Sequence, residues 1–164
     1  MLDLLPESVW NSKTRFLDIC CKSGNFLVEI YNRLDRILSS DNNFKDPVKR
    51  RKHILENQIY GICTDSFEEM MIKRRMLGDP FSDNENISTI AYVHPVSGAS
   101  KQFRELAQLS KQKTLKKREE QLGYLKDAIK EKFKQMDFDV VVGNPPYNND
   151  MYLDFVMIGH KLAK

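Results

Sequence analysis

Four short apolar runs, each set apart by a helical stretch, constrain this chain more than any other feature. Residues 15–21 read RFLDICC, residues 58–65 QIYGICTD, residues 86–93 NISTIAYV and residues 137–143 DFDVVVG. Each is rich in β-branched and aromatic side chains and short enough for a strand. Between them apolar residues recur at helical spacing. After the first run, Phe26, Leu27, Ile30, Leu34, Ile37 and Leu38 trace one face of a helix. Pro47 suits the first turn of a second helix, running to about Gln58. Ser66 with Glu69 three residues on reads as a capping box for a third helix, ended by Gly78, Asp79 and Pro80. The valine run of residues 140–142 has no polar alternation, as in strands covered on both faces. Strands alternating with helices imply an α/β fold, an open, doubly wound and mostly parallel sheet.

A chain of 164 residues is one domain by size, and 41% hydrophobic with 30% charged residues is a globular balance. No apolar run approaches the roughly 20 residues that span a bilayer. The start, MLDLLPESVW, lacks the basic flank and apolar region of a signal peptide, so a cytoplasmic protein without membrane partners is expected. Cys20, Cys21 and Cys63 form no CxxC pair and fit reduced thiols. His53, His94 and His160 have no ligand spacing, so no metal site is expected. A net charge of +3 is weak evidence for a nucleic-acid partner.

Residues 100–135 form a charged segment with a thin apolar thread through Phe103, Leu106, Leu109, Leu115, Leu122, Leu125, Ile129 and Phe133, expected to be a helical insertion broken or bent at Gly123. Lys111, Lys113, Lys116, Lys117 and Arg118 cluster there; the cluster could follow a phosphate backbone or be a solvated face paired with Glu119, Glu120 and Asp127. Met70, Met71 and Met76 read as core filling.

In doubly wound sheets ligands bind beyond the carboxyl ends of the strands, where the first turn enters a helix. The stretch DICCKSGNFL, residues 18–27, lies there. Gly24 lets the backbone approach a ligand, and the helix start offers unpaired N–H groups. There is no GxGxxG, and Asp18 at the strand end repels phosphate. It suits a cation such as the ammonium of an amino-acid-bearing cofactor. Asp65, after the second strand, is placed either to accept from ribose hydroxyls or to serve as a helix N-cap or a solvated turn carboxylate.

The fourth run ends in Asn144-Pro145-Pro146-Tyr147. Two prolines neither donate to a ladder nor continue a helix, so the strand ends on a stiff corner. The Asn144 side-chain oxygen and a proline carbonyl are two acceptors held toward one point, as an exocyclic amine requires. Accepting both N–H bonds favours a pyramidal nitrogen and stabilises the charge developing as it attacks. Tyr147 offers a face on which an extruded base can stack, worth about 1–3 kcal/mol.

Together, FLDICCKSGNFL and FDVVVGNPPY resemble motif I and motif IV of the S-adenosylmethionine-dependent N6-adenine DNA methyltransferases of bacterial restriction–modification systems. The family's first motif, Asp-Pro-x-Cys-Gly-Ser-Gly-x-Phe-Leu, is matched by Asp18, Cys21, Ser23, Gly24, Phe26 and Leu27. Ile19 stands in place of the proline and Lys22 in place of the first glycine. Cys63 stands where many members carry the ribose-binding acid, and no Asp marks the end of the third strand.

The resemblance implies a Rossmann-like domain in which motif I spans residues 16–27 and motif IV residues 138–147. Asp18, Cys20, Cys21, Ser23, Gly24, Phe26 and Asp65 would hold S-adenosylmethionine. Asn144, Pro145, Pro146 and Tyr147 would hold an adenine flipped out of duplex DNA. The same Asn-Pro-Pro-Tyr occurs in methyltransferases acting on protein glutamine or on RNA amines, which remain alternatives, as does an inactive remnant binding only nucleic acid or a partner. Four strands against the family's seven suggest a partial catalytic domain without its remaining strands and target-recognition domain, with the start MLDLLPESVWN resembling the end of a cofactor-binding segment. A valine edge left open would favour weak stability or self-association.

Overall fold

The computed structural model describes residues 1–63, 65–89, 123, 126–134, 137–145 and 151–163. Among them four strands, β1 (Phe16–Asp18), β2 (Ile59–Cys63), β3 (Ile87–Thr89) and β4 (Val140–Val142), form one sheet in the order β3-β2-β1-β4. Every pairing is parallel: Phe16 opposes Ile59 and Val140, and Gly61 opposes Ile87. From β1 the chain steps outward to β2 and β3, then returns to set β4 on the other side of β1. The strand order reverses between β1 and β4, so that boundary is the topological switch point, where doubly wound sheets open a crevice for ligands.

Alternation along the strands sends side chains to two cores. Phe16, Ile59, Cys63 and Val140 face one side, with Leu27, Ile30 and Leu34 of α1 (Asn25–Leu38), Ile54 and Leu55 of α2 (Pro47–Asn57), and Ile72 and Met76 of α3 (Ser66–Leu77). Leu17, Tyr60 and Ile62 face the other, with Ile129 and Phe133 from the helical stretch 126–132 and its end, and with Phe155, Ile158 and Leu162 of α4 (Met151–Leu162). Within this second core Tyr60, Phe133 and Phe138 meet edge to face, with centroids 5.3 to 5.7 Å apart. Each such pair adds about 0.5–1.5 kcal/mol beyond area burial. Helices on both faces make the fold doubly wound, as the sequence implies.

Local chemistry explains the element ends. Asp46 caps α2 by accepting from the Val48 N–H, and Pro47 occupies the first helical position, where no N–H is needed. The expected Ser66 cap is displaced by one residue. Asp65 is the N-cap of α3, its Oδ1 accepting from the Glu68 N–H at 2.8 Å, and Ser66 lies inside the first turn. Gly78, left-handed, ends that helix as expected. The first strand is shorter than its apolar run, because after the Ile19 N–H, which still donates to the Val142 carbonyl, the chain turns away while Ile19, Cys20 and Cys21 stay buried.

Polar groups at the amino end of the sheet are tied into the fold. Gln58 Nε2 donates to the carbonyls of Asn11 (2.7 Å) and Thr14 (3.1 Å), and the Arg15 N–H donates to Asp139 Oδ2 (2.8 Å). Arg50, buried between α1 and α2, meets Asp35 Oδ1 at 2.7 Å and the Phe44 carbonyl at 2.9 Å. β4 is an edge strand of the described sheet, with Val140 buried and Val141 and Val142 half-buried. Two residues before it, Phe138 forms a single parallel bridge with Ala163. Most of residues 100–135, with the basic cluster, and His94 lie outside the described residues. Among the described residues no helix is long and apolar enough to cross a membrane.

Candidate active site at the β1–β4 switch point

A pocket of about 220 Å³ opens at the carboxyl end of β1, lined by Asp18, Cys20, Cys21, Lys22, Ser23, Asn25, Phe26 and Asn144. Two stretches far apart in sequence meet here because Asp18 and Val142 are register partners. Gly143 permits the close approach: a Cβ there would lie 3.1 Å from Ile19 Cγ1 and 3.7 Å from Asp18 Oδ1. Asn144 therefore leaves β4 directly beside the end of β1.

The turn from β1 into α1 is tight. The Gly24 N–H donates to the Cys21 carbonyl at 2.6 Å, and two residues take left-handed backbone, Lys22 at φ +43° and Gly24 at φ +75°. Gly24 adopts this freely and serves as the N-cap of α1. It has no side chain with which to cap, so the first N–H groups of α1 are left for another acceptor. Lys22 occupies a region that costs a residue with a Cβ about 1–2 kcal/mol.

Asp18 is the electrostatic centre. It is 1% exposed, and its Oδ1 accepts from the Cys20 N–H at 3.1 Å. Burial pushes its carboxyl up to about 7, partly offset by the Cys20 amide and the Lys22 charge and reinforced by Glu68. Burying an ionised carboxylate with so little compensation is costly unless a cation joins it. The thiols are a different matter. Burial, then Asp18, pushes Cys20 up to about 12. Burial and the neighbouring Cys63, 3.3 Å away between sulfurs, hold Cys21 well above the thiol range. Both are protonated wall groups rather than nucleophiles.

Of the residues singled out in the sequence, Asp18, Cys20, Cys21, Ser23, Phe26 and Asn144 converge on this pocket. Gly24 shapes the turn from behind, buried against Ile72. Asp65 is engaged as the cap of α3 and does not line the pocket. Pro145 lines a neighbouring apolar groove of about 460 Å³ with Ile19, Val141, Val142 and Gly143. Pro146 and Tyr147 lie outside the described residues. Sequence reasoning missed Asn25 as a lining residue; its place at the first position of α1, after Gly24, was the available signal.

Comparison with known proteins bears on the family of the chain. An uncharacterized adenine-specific methylase from Mycoplasma pneumoniae is 27% identical over 184 aligned residues, which take in 90% of this chain and 43% of that protein. The chain thus spans less than half the length of this curated relative. The model of the Eco57I restriction-modification methylase family matches residues 57–163, well over half of the chain and inclusive of β2, β4 and the Asn144 corner. The chain belongs to the Eco57I restriction-modification methylase family.

Proposed function

We propose that this chain carries the catalytic corner of a DNA methyltransferase that moves a methyl group from S-adenosylmethionine to the N6 amine of adenine, within a restriction–modification system. The observation that carries this reading is the junction of a buried, undercompensated carboxylate, Asp18, with Asn144 in one pocket at the strand-order reversal.

The pocket fits the amino-acid part of that cofactor. Asp18 offers a desolvated carboxylate to an ammonium group, and the uncapped start of α1 offers N–H donors and a positive dipole end to a carboxylate. About 220 Å³ is below the roughly 300–1,000 Å³ of a pocket holding a whole small ligand, so it suits one end of the cofactor. Bound there, the cofactor supplies an electrophilic methyl group on its sulfonium.

Asn144, rigidly placed where β4 stops, accepts a hydrogen bond from the adenine amine through its side-chain oxygen. Pro145 and Pro146 hold that corner stiff, and the carbonyl beside Asn144 supplies the second acceptor. Tyr147 stacks on the extruded base. The protein supplies orientation and preorganised acceptors, and no side chain forms a covalent bond with either reactant. Residues 16–27 serve as motif I, residues 138–147 as motif IV, and the charged stretch of about 100–135 as an insertion.

The test is transfer of radiolabelled methyl from S-adenosylmethionine by the protein at its native length, offered duplex DNA, ribosomal RNA and release-factor protein in parallel. Label recovered as N6-methyladenine in DNA is the expected outcome. Label in a glutamine amide or in RNA, or no label in any of the three, overturns the DNA assignment.

A further inference from the structure

The turn that floors the Asp18 pocket is gripped from outside by α3. Arg75, in the last turn of that helix, donates through Nη1 to the Ser23 carbonyl at 2.9 Å and to Asn25 Oδ1 at 2.7 Å. These two acceptors flank Gly24. Three residues earlier on the same helix face, Ile72 presses on Gly24 itself, so that a Cβ there would meet Ile72 Cγ1 at 3.1 Å. One polar and one apolar contact, a helical turn apart, thus hold the three residues over which β1 becomes α1.

This turn needs outside support. It contains two left-handed residues, and one of them, Lys22, pays a steric penalty for its conformation. Strained backbone persists where its surroundings over-determine it. Backbone hydrogen bonds among the described residues hold the turn at Cys21, whose carbonyl accepts from the Gly24 N–H and whose own N–H donates to the Ile62 carbonyl of β2. Arg75, 50 residues from Asn25 in sequence and outside the pocket's lining, adds two more restraints where Asn25, at the start of α1, lines the pocket. Ser23, Asn25 and Arg75 are all exposed, and hydrogen bonds among exposed groups contribute little to global stability. Their effect is therefore local, on how the turn is presented to a ligand.

We infer that Arg75 is a positioning residue for the cofactor pocket: by clamping Ser23 and Asn25 it preorganises the β1–α1 turn and so sets cofactor affinity, without touching the transferred methyl group or the base. This deepens the proposed function and rests on that reading of the pocket.

The experiment compares wild type, Arg75→Ala, Arg75→Lys, Asn25→Ala and the Arg75→Ala/Asn25→Ala double variant. Amide hydrogen exchange in the ligand-free protein comes first, then calorimetry with S-adenosylmethionine, then kcat at saturating cofactor in the native-length protein. In Arg75→Ala, exchange at Gly24 and Val28, whose N–H groups bond to the Cys21 and Gly24 carbonyls, should accelerate about tenfold while β2 amides keep their protection. Cofactor affinity should fall about 5- to 20-fold with kcat within about twofold, the pattern of lost binding rather than lost chemistry. Arg75→Lys should restore part of the affinity. The double variant should lose less than the sum of the singles, because both remove one interaction.

Unchanged exchange at Gly24 and Val28 overturns the clamp. Affinity loss accompanied by equal acceleration in β2 also overturns it, since Arg75 would then serve the fold as a whole, as would strict additivity in the double variant. Should wild type not bind S-adenosylmethionine, the cofactor reading falls, and the exchange data still decide whether Arg75 holds the turn.

Discussion

The two ends of the parallel sheet treat buried polar groups in opposite ways. At the amino end Gln58 spans the carbonyls of Asn11 and Thr14, and nearby Arg50 meets a carboxylate and a carbonyl. Gln58 Oε1 lacks a partner among the described residues, but it is a neutral acceptor. At the carboxyl end a carboxylate that is 1% exposed receives one backbone N–H, next to a turn with two left-handed residues and an uncapped helix. A fold optimised only for stability would not leave an ionisable group so poorly matched. The amino end is built to hold the sheet together, and the mismatch at the carboxyl end is what the proposed cofactor site rests on.

The contrast can be broken most sharply with Asn144. Replacing it by Ala removes the acceptor proposed for the reacting amine and should cut methyl transfer by the native-length protein about 10²- to 10³-fold, with cofactor affinity measured by calorimetry nearly unchanged. Full activity in this variant would strip the carboxyl end of its assigned chemistry.

The next effect is on stability, with a sign peculiar to a mismatched carboxylate. The folded-state value of Asp18 is about 7, against about 3.9 in the unfolded chain, so between these limits the folded protein retains a proton that the unfolded one has lost. This contribution is fully present below about pH 4 and is lost as pH rises through 7, with a ceiling of about 4 kcal/mol. Chemical denaturation of ligand-free protein at pH 5 and pH 8 should show the loss, and Asp18→Asn should flatten the dependence and raise stability at pH 8. A variant less stable than wild type at pH 8 would mean that Asp18 is compensated after all.

At the amino end the expectation reverses. Gln58→Ala leaves the Asn11 and Thr14 carbonyls without their donor and should cost about 1–3 kcal/mol in denaturant titrations, with no change in cofactor affinity. The smallest effect belongs to Lys22. Lys22→Gly relieves the left-handed strain at the expense of a more flexible unfolded chain, so a gain of about 1 kcal/mol or less is expected in the same titrations. A loss would show that the Lys22 side chain contributes more than its backbone strain costs.

Much of this was legible in the sequence, for identifiable reasons. α1 and β2 announce themselves by period and β-branching, and the observed bounds fall within a few residues of those expected. The pairing of Asp18 with Asn144 followed from each standing after a strand in an alternating pattern. What could not be read were choices settled by a single atom or by distance along the chain. Asp65 and Ser66 are both good caps, and only the carboxylate's reach to the Glu68 N–H decides between them. The first run continues apolar through Cys21, but its last residues are buried as turn rather than strand, because the chain must bend away to start α1. Arg75 gave no signal, since its partners are about fifty residues away and exposed.

The central claim is that the crevice between β1 and β4 uses Asp18 to hold the cationic end of S-adenosylmethionine. Calorimetric titration of the ligand into wild type and Asp18→Asn at pH 8 tests it most directly. Wild type should bind, and the variant, folded and at least as stable, should bind more weakly by about tenfold or more, since a charge-assisted partner is lost. Equal affinities in the two proteins, or no binding by wild type at millimolar ligand, would contradict it.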